Sequence, residues 1–167
     1  MNVPNTMRIG IGFDVHSLKK NNSLIIGGVV IPSSLGSEGH SDGDALIHAV
    51  VDALLGAAGL GDIGSYFPSS TDKWKNAPGK LFLGHAVLMI KDAGWEVENI
   101  DTNVILQTPN ISEFIPQLKT KLSQLLHITK NRISVKAKTT DHLGFIGKEK
   151  GWAAQAIVLL KQSAKTV

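Results

Sequence analysis

The chain has 167 residues, a net charge of +3, 43% hydrophobic and 19% charged side chains, and no cysteine. That length closes one domain around a real core, and the mixture is an ordinary globular one. Lys and Arg are scattered and aromatics are only 5%, which excludes a nucleic-acid stripe. The lack of thiols excludes disulfides and leaves His, Asp and Glu to hold any metal. No apolar run is long enough to cross a bilayer and residues 1–8 are not a signal peptide, so no membrane partner and a cytoplasmic location are expected.

In chain order, residues 1–7 are expected to form a short disordered lead. Over residues 8–16, Ile9, Ile11, Phe13 and Val15 alternate with Gly10, Gly12, Asp14 and His16. This is a strand, and its period of two puts Asp14 and His16 on one face, one pleat apart. Residues 24–26 and 29–31 flank Gly27-Gly28 and read as a hairpin that Pro32 ends. A Ser/Gly-rich loop follows, whose residues 39–44 run into an apolar helix through residues 45–55. Ser41 is its expected N-cap, Asp44 sits at the capping-box position, and Gly59 is its stop.

Asp44, His48 and Asp52 are four apart, on one stripe of that helix. Residues 59–64 form a glycine-punctuated turn, and 66–76 a loop. A second helix is expected over 78–93 with Gly94 as its stop, a strand over 100–107, and a loop over 109–113. A third helix covers 114–126, striped by Leu118, Leu122, Leu125 and Leu126. A strand over 132–138, a polar loop over 139–150 and an apolar strand over 151–160 complete the chain. This order predicts one domain over residues 1–167 of the α/β (α+β) class, a ferredoxin-like mixed sheet with helices on one face.

Two constellations carry chemistry. Asp14 and His16 from the strand and His48 from the helix make an Asp-His-His set with no fourth protein ligand nearby. Three protein ligands with an open position is the pattern of a catalytic zinc site. Asp44, Asp52 or Asp62 are the candidates to orient the ligand imidazoles. The other reading is a strand end with a surface acid and a half-buried histidine. The second constellation pairs the open amides of residues 61–64 with Lys138-Thr139-Thr140-Asp141. There, amides and hydroxyls suit phosphate oxygens and the carboxylate suits magnesium; a polar strand-end turn is the plainer reading. His40 and Ser41 precede a helix N-terminus, an anion-attracting position. His85 and His127 look structural or exposed, and His142 is ambiguous. There is no Walker loop and no serine nucleophile elbow.

Residues 8–16, Gly39-His40-Ser41-Asp42-Gly43-Asp44 with His48, residues 52–64, Ile115-Pro116-Gln117 and residues 139–147 closely resemble the 2-C-methyl-D-erythritol 2,4-cyclodiphosphate synthase family. The resemblance covers nearly the whole chain after residue 7. It implies a lyase of the non-mevalonate route to isoprenoid precursors, acting on 4-diphosphocytidyl-2-C-methyl-D-erythritol 2-phosphate. The 2-phosphate attacks the β-phosphorus, CMP leaves, and a cyclic diphosphate forms. It also implies a homotrimer with active sites between subunits, each with zinc and a magnesium or manganese ion.

By the same resemblance zinc falls to Asp14, His16 and His48, and magnesium to Asp141. His40 and Thr139 orient the phosphates and stabilise the transition state. Ser41, Asp62, Ile63, Gly64, Phe67 and Thr71 meet the methylerythritol and phosphate side. Leu106, Thr108, Pro109, Asn110, Ile111, Ser112, Lys138, Thr140, Phe145 and Lys148 meet the cytidine nucleotide. Ser69-Ser70-Thr71 replaces the acidic residues that commonly follow Phe-Pro. Asp141 replaces a common Glu, Lys138 a Thr, Lys148 an Arg and Asn110 a Lys. A zinc-dependent phosphoesterase and a non-catalytic trimeric binder of isoprenoid diphosphates are the alternative functions.

Overall fold

The computed structural model describes residues 6–163. Its first strand, β1 (Met7–Lys20), runs antiparallel to the last, β7 (Gly151–Gln162), from Met7 opposite Lys161 to Ser17 opposite Gly151. The far end of β1 pairs with β4 (Leu35–Glu38). β7 also pairs antiparallel with β5 (Trp95–Ile105), which pairs in parallel with β6 (Ile133–Lys138). The sheet order is therefore β4-β1-β7-β5-β6, and β2 (Leu24–Ile26) and β3 (Val29–Ile31) form a separate hairpin.

Helices α1 (Ala45–Ala58), α3 (Gly79–Asp92) and α4 (Ile115–Leu126) cover one face of the sheet, while the one-turn helix α2 (Ile63–Tyr66) packs on α1 and α5 (Gly144–Gly147) on β7. The α/β expectation of one mixed sheet with helices on one face holds. The ferredoxin-like expectation does not hold in topology. That fold runs β-α-β-β-α-β, whereas here helices precede β5 and α4 precedes β6, and β7 then returns to insert between β1 and β5. The crossover through α4 makes β5 and β6 parallel neighbours, and that pair ends up at the sheet edge.

Strand β1 is buried on the side its glycines face. A Cβ at Gly10 would stand 1.9 Å from the Ala53 carbonyl oxygen, and one at Gly12 would stand 1.9 Å from that of Ala49. The backbone of α1 therefore lies directly on β1, which only glycine permits. Twelve of the fourteen α1 residues are buried, so this helix is a central rod and not an amphipathic surface helix. The opposite face of β1 carries Ile9, Ile11 and Phe13, each more than half exposed in the single chain.

Several local expectations change. Residues 1–5 of the expected lead lie outside the described residues, but Met7 already belongs to β1, and the Gln162 amide donates to the Thr6 carbonyl. Ser41 is not the cap of α1. Asp44 is, accepting from the Ile47 amide at 3.1 Å. The same carboxylate also accepts from Gly27 and Gly28 at 2.9 and 2.6 Å, so it joins the helix to the hairpin turn. Gly59 stops α1 as expected, at a φ of 73°.

The Ser/Gly-rich loop contains β4, the loop over 66–76 contains a 3-10 turn (Asp72–Trp74), and the loop over 139–150 contains α5. Leu118, Leu122 and Leu126 of the α4 stripe are buried, with Leu125 partly so.

Because α1 cannot move off the strand without opening the core, Gly12→Ala should cost about 3 kcal/mol through overpacking. Urea unfolding should show a lower midpoint at unchanged slope.

Candidate metal centre

Three side chains meet where β1 passes beneath α1. Asp14 Oδ2 lies 2.9 Å from His48 Nδ1 and 3.0 Å from His16 Nε2, and the two imidazole nitrogens are 3.2 Å apart. Period two on the strand supplies the first two groups, and the close glycine contact brings α1 near enough to supply the third. Among the described residues this is the one set of three His, Asp or Glu groups arranged to hold a metal ion. Ligand atoms around 2.0–2.1 Å from a tetrahedral ion stand about 3.3 Å from one another. The observed triangle is slightly tighter and of the same form. The donor set fits as well, since two imidazoles and a carboxylate suit a divalent ion.

The orienting groups differ from those expected. Asp44 is engaged with amides, Asp52 accepts from the Ile63 amide at 2.8 Å, and Asp62 accepts from the Ser65 amide and hydroxyl, each at 2.8 Å. Instead the Glu38 carbonyl lies 3.2 Å from His16 Nδ1, and the Ser41 hydroxyl 3.1 Å from His48 Nε2. The Glu38 contact depends on β4, whose Gly-Ser core gives no strand signal in the sequence.

The electrostatics follow from these contacts. Burial opposes ionisation of Asp14, but hydrogen bonds and charge from His16 and His48 outweigh it and hold the carboxyl well below the usual carboxylate range. Burial works against protonation of His16, yet Asp14 and the Glu38 carbonyl raise its pKa above the ordinary 6.5. Burial pushes Asp44 up to about 6, against the pull of the Gly28, Ile47 and Gly27 amides. Asp52 is raised by burial first, despite its bond from Ile63, with Asp62 and Asp14 adding to the effect.

The triangle floors a cleft of about 300 Å³ that also holds His40, Ser41, Ile63, Gly64 and Phe67 from the expected set, together with Ser69 and Phe82. Phe82, on α3, is outside the expected set; its ring lies 4.9 Å from that of Phe67 and 5.8 Å from that of His48. Asp62 caps α2 at the edge of the cleft, and Thr71 is exposed with its hydroxyl donating to the Pro68 carbonyl.

The residues expected to meet the nucleotide fall elsewhere. Leu106, Pro109, Asn110, Ile111, Ser112, Lys138 and Thr139 line a second cavity of about 340 Å³ at the carboxyl ends of β5 and β6. Thr140 and Phe145 line a shallow apolar pocket beside it, and Thr108 donates to Glu149 at 2.6 Å. Lys148 is exposed at the end of α5. Asp141 is exposed too, at a φ of 49°, with its Oδ1 3.5 Å from the Thr139 hydroxyl. The two cavities share no lining residue. His40 and Thr139, expected to flank the same phosphates, are therefore in different places within one chain. His85 and His127 are exposed, as is His142, whose amide donates to the Gln107 side chain.

The YgbB family model matches residues 7–161. A protein of Chlorobium phaeovibrioides named 2-C-methyl-D-erythritol 2,4-cyclodiphosphate synthase is 45% identical over 157 residues, covering 94% of this chain and 100% of that one. Among solved structures, the bifunctional IspDF from Campylobacter jejuni matches with a TM-score of 0.91 and 40% identity, over 97% of this chain and 45% of that longer chain. A CDP complex of IspF from Plasmodium falciparum matches with a TM-score of 0.84 and 37% identity, over 97% of this chain and 100% of that one. The chain belongs to the YgbB family, that of the 2-C-methyl-D-erythritol 2,4-cyclodiphosphate synthases.

His16 must shed a proton to offer Nε2, and its pKa is raised above 6.5. Affinity for a divalent ion should therefore fall as pH drops through that raised value, by up to about tenfold per pH unit for one displaced proton. Competition with a chromophoric chelator from mildly alkaline to mildly acidic pH checks this, and a flat profile contradicts it.

Proposed function

We propose that this member of the YgbB family closes 4-diphosphocytidyl-2-C-methyl-D-erythritol 2-phosphate into the 2,4-cyclic diphosphate and releases CMP, a lyase step of isoprenoid precursor synthesis. The observation that carries this reading is the triangle of Asp14, His16 and His48 at the floor of a cleft. The cleft is lined by imidazoles, hydroxyls, glycine backbone and apolar rings. Its one hydroxyl beside an imidazole, Ser41, faces Nε2 of His48, which cannot act as a base while Nδ1 of the same neutral ring serves the triangle. Phosphoryl transfer needs the attacking oxygen held in line and the developing charge neutralised, and little covalent help. Here the attacking oxygen belongs to the substrate, so a protein nucleophile is unnecessary.

Asp14, His16 and His48 would hold zinc, which supplies Lewis-acid polarisation of a phosphoryl oxygen when bound. Asp141 would share a magnesium or manganese ion with the substrate's own phosphates, as a lone exposed carboxylate suits that cation. His40 and Ser41 face the phosphates from the loop before α1. Asp62, Ile63 and Gly64 receive the methylerythritol, with Phe67 and Thr71 on the adjoining segment. Thr139 steadies the phosphates from the nucleotide side. Leu106, Thr108, Pro109, Asn110, Ile111, Ser112, Lys138, Thr140, Phe145 and Lys148 receive the cytidine end.

A homotrimer with sites between subunits completes the reading. Two observations support it: the separation of the two cavities, and the exposed Ile9, Ile11, Phe13 and Ile157 on the sheet face that the helices leave bare. An apolar face of this kind marks an association surface. The cytoplasm is the expected location, and among the described residues no helix is long and apolar enough to cross a membrane.

Given the substrate with zinc and magnesium, the chain should yield CMP and the cyclic diphosphate. Linear phosphates would indicate a zinc phosphoesterase, and binding of isoprenoid diphosphates without CMP release would indicate a non-catalytic binder. His48→Ala should lower turnover at least about a thousandfold, the weight of several kcal/mol of charge stabilisation. Sedimentation equilibrium should give a trimer for the unaltered chain and smaller species for Phe13→Glu, with metal content retained and activity lost.

A further inference from the structure

The two ligand imidazoles are held by partners of different kinds. His16 Nδ1 faces the Glu38 carbonyl at 3.2 Å. A carbonyl only accepts, so Nδ1 carries the hydrogen and Nε2 of the neutral ring keeps its lone pair, with or without a metal. His48 Nε2 faces the Ser41 hydroxyl at 3.1 Å, and a hydroxyl can donate or accept. The tautomer of His48 is therefore free to change, and Ser41 must change with it.

Without metal and with the His16 ring neutral, Asp14 Oδ2 and the lone pair of His16 Nε2 both face His48 Nδ1, at 2.9 and 3.2 Å. Both are acceptors, so His48 carries its hydrogen on Nδ1. When His16 is protonated its Nε2–H donates to Asp14 Oδ2 at 3.0 Å, and Asp14 still accepts from His48 Nδ1. His48 Nε2 is then an acceptor, and the Ser41 hydroxyl hydrogen is committed to it. With a metal on Nδ1 the hydrogen sits on Nε2 and donates to Ser41 Oγ. The proton lost from Nδ1 goes to water and one is taken up at Nε2, so the ring stays neutral. Ser41 Oγ also lies 3.4 Å from the Gly43 amide, a second donor. With its oxygen accepting, the hydroxyl hydrogen is released, and the 300 Å³ cleft that Ser41 lines is where it can point.

We propose that Ser41 is a metal-gated hydrogen-bond donor: occupancy of the Asp14–His16–His48 triangle turns its hydroxyl from His48 toward an anionic oxygen in the cleft. Metal and phosphate binding are thereby coupled through one hydroxyl, beyond their direct attraction, and the coupling is reciprocal. As an acceptor from His48 Nε2, Ser41 also positions that ligand, a role whose loss commonly loosens metal sites. The inference rests on the metal reading of the triangle and not on the cyclisation chemistry. A chain that binds zinc but forms no cyclic product would overturn the latter alone.

The test uses the full chain at mildly alkaline pH, with zinc and inorganic phosphate as the probes and no turnover. Nitrogen NMR of His48 should show hydrogen on Nδ1 in the metal-free protein and on Nε2 after zinc is added. Ser41→Ala should weaken zinc binding by at least about tenfold. It should weaken phosphate binding by about tenfold in the zinc-loaded protein, and by less than about twofold in the metal-free protein. Ser41→Thr, which keeps the hydroxyl, should restore both. Equal loss of phosphate affinity with and without zinc, or hydrogen on Nε2 before zinc is added, would overturn the proposal.

Discussion

The contact of α1 with β1 sets every other distance in the molecule. Two glycines and the carbonyls of Ala49 and Ala53 let helix and strand backbones touch. Each glycine in a strand interior costs about 0.5–1 kcal/mol in chain entropy. The burial of twelve α1 residues opposes that cost. The contact positions His48: a helix resting on ordinary side chains would sit farther out, and its imidazole would miss the carboxylate beneath it. Packing and chemistry are thus one constraint, and the ligand triangle is preorganised by close approach of backbones.

Asp44 shows the same economy in another form. A fully buried carboxylate is costly unless its oxygens are occupied, and here three amides occupy them: those of Gly27, Gly28 and Ile47. The group starts α1 and fixes the hairpin turn against it. Asp42 does the corresponding work for α3, accepting from the Gly79 amide at 2.7 Å, while the backbones of residues 40 and 42 accept from and donate to residues 76 and 77. The loop carrying His40 and Ser41 is therefore stitched to both helices beside the cleft.

Much of this was legible in the sequence, for reasons that also explain the misses. Alternation marked β1, the Gly-Gly turn marked the hairpin, and leucine spacing marked α4, because in each case local pattern and tertiary burial agree. Asp14, His16 and His48 could be grouped because strand period and residue chemistry both pointed to them. β4 was invisible: its Gly36 and Ser37 are small because Gly36 lies against the backbone of Asn22 and Ser23, and the Ser37 hydroxyl accepts from the Trp152 indole. The inward face of β1 was also hidden, since the glycine side is buried and the isoleucines are bare. Ser41 had the right residue type for a cap, but Asp44 reaches the Ile47 amide, and Ser41 turns to His48 instead. Tertiary contacts decided each of these, and no window of neighbouring residues contains them.

The topology explains why the two cavities open along one rim of the sheet. β1 is antiparallel to β7, and β7 to β5, so β1 runs in the same direction as β5 and its parallel neighbour β6. Asp14 and His16 near one carboxyl end, and Lys138 and Thr139 past another, lie along a common rim. Three strand spacings separate β1 from β6, about 14 Å. The near side is rigid, being built on β1 and α1. The far side is made of loops, with Asp141 and His142 both in the left-handed region and the His142 amide held by Gln107. Such backbone persists only where its surroundings over-determine it, and the bond from the Leu106 amide to the Lys138 carbonyl ties those loops to the parallel pair. A cyclic assembly that set the far rim of one copy against the near rim of the next would bring the rigid Asp14–His16–His48 triangle against the shaped loop of residues 139–142, and neither would then need to reach across its own sheet.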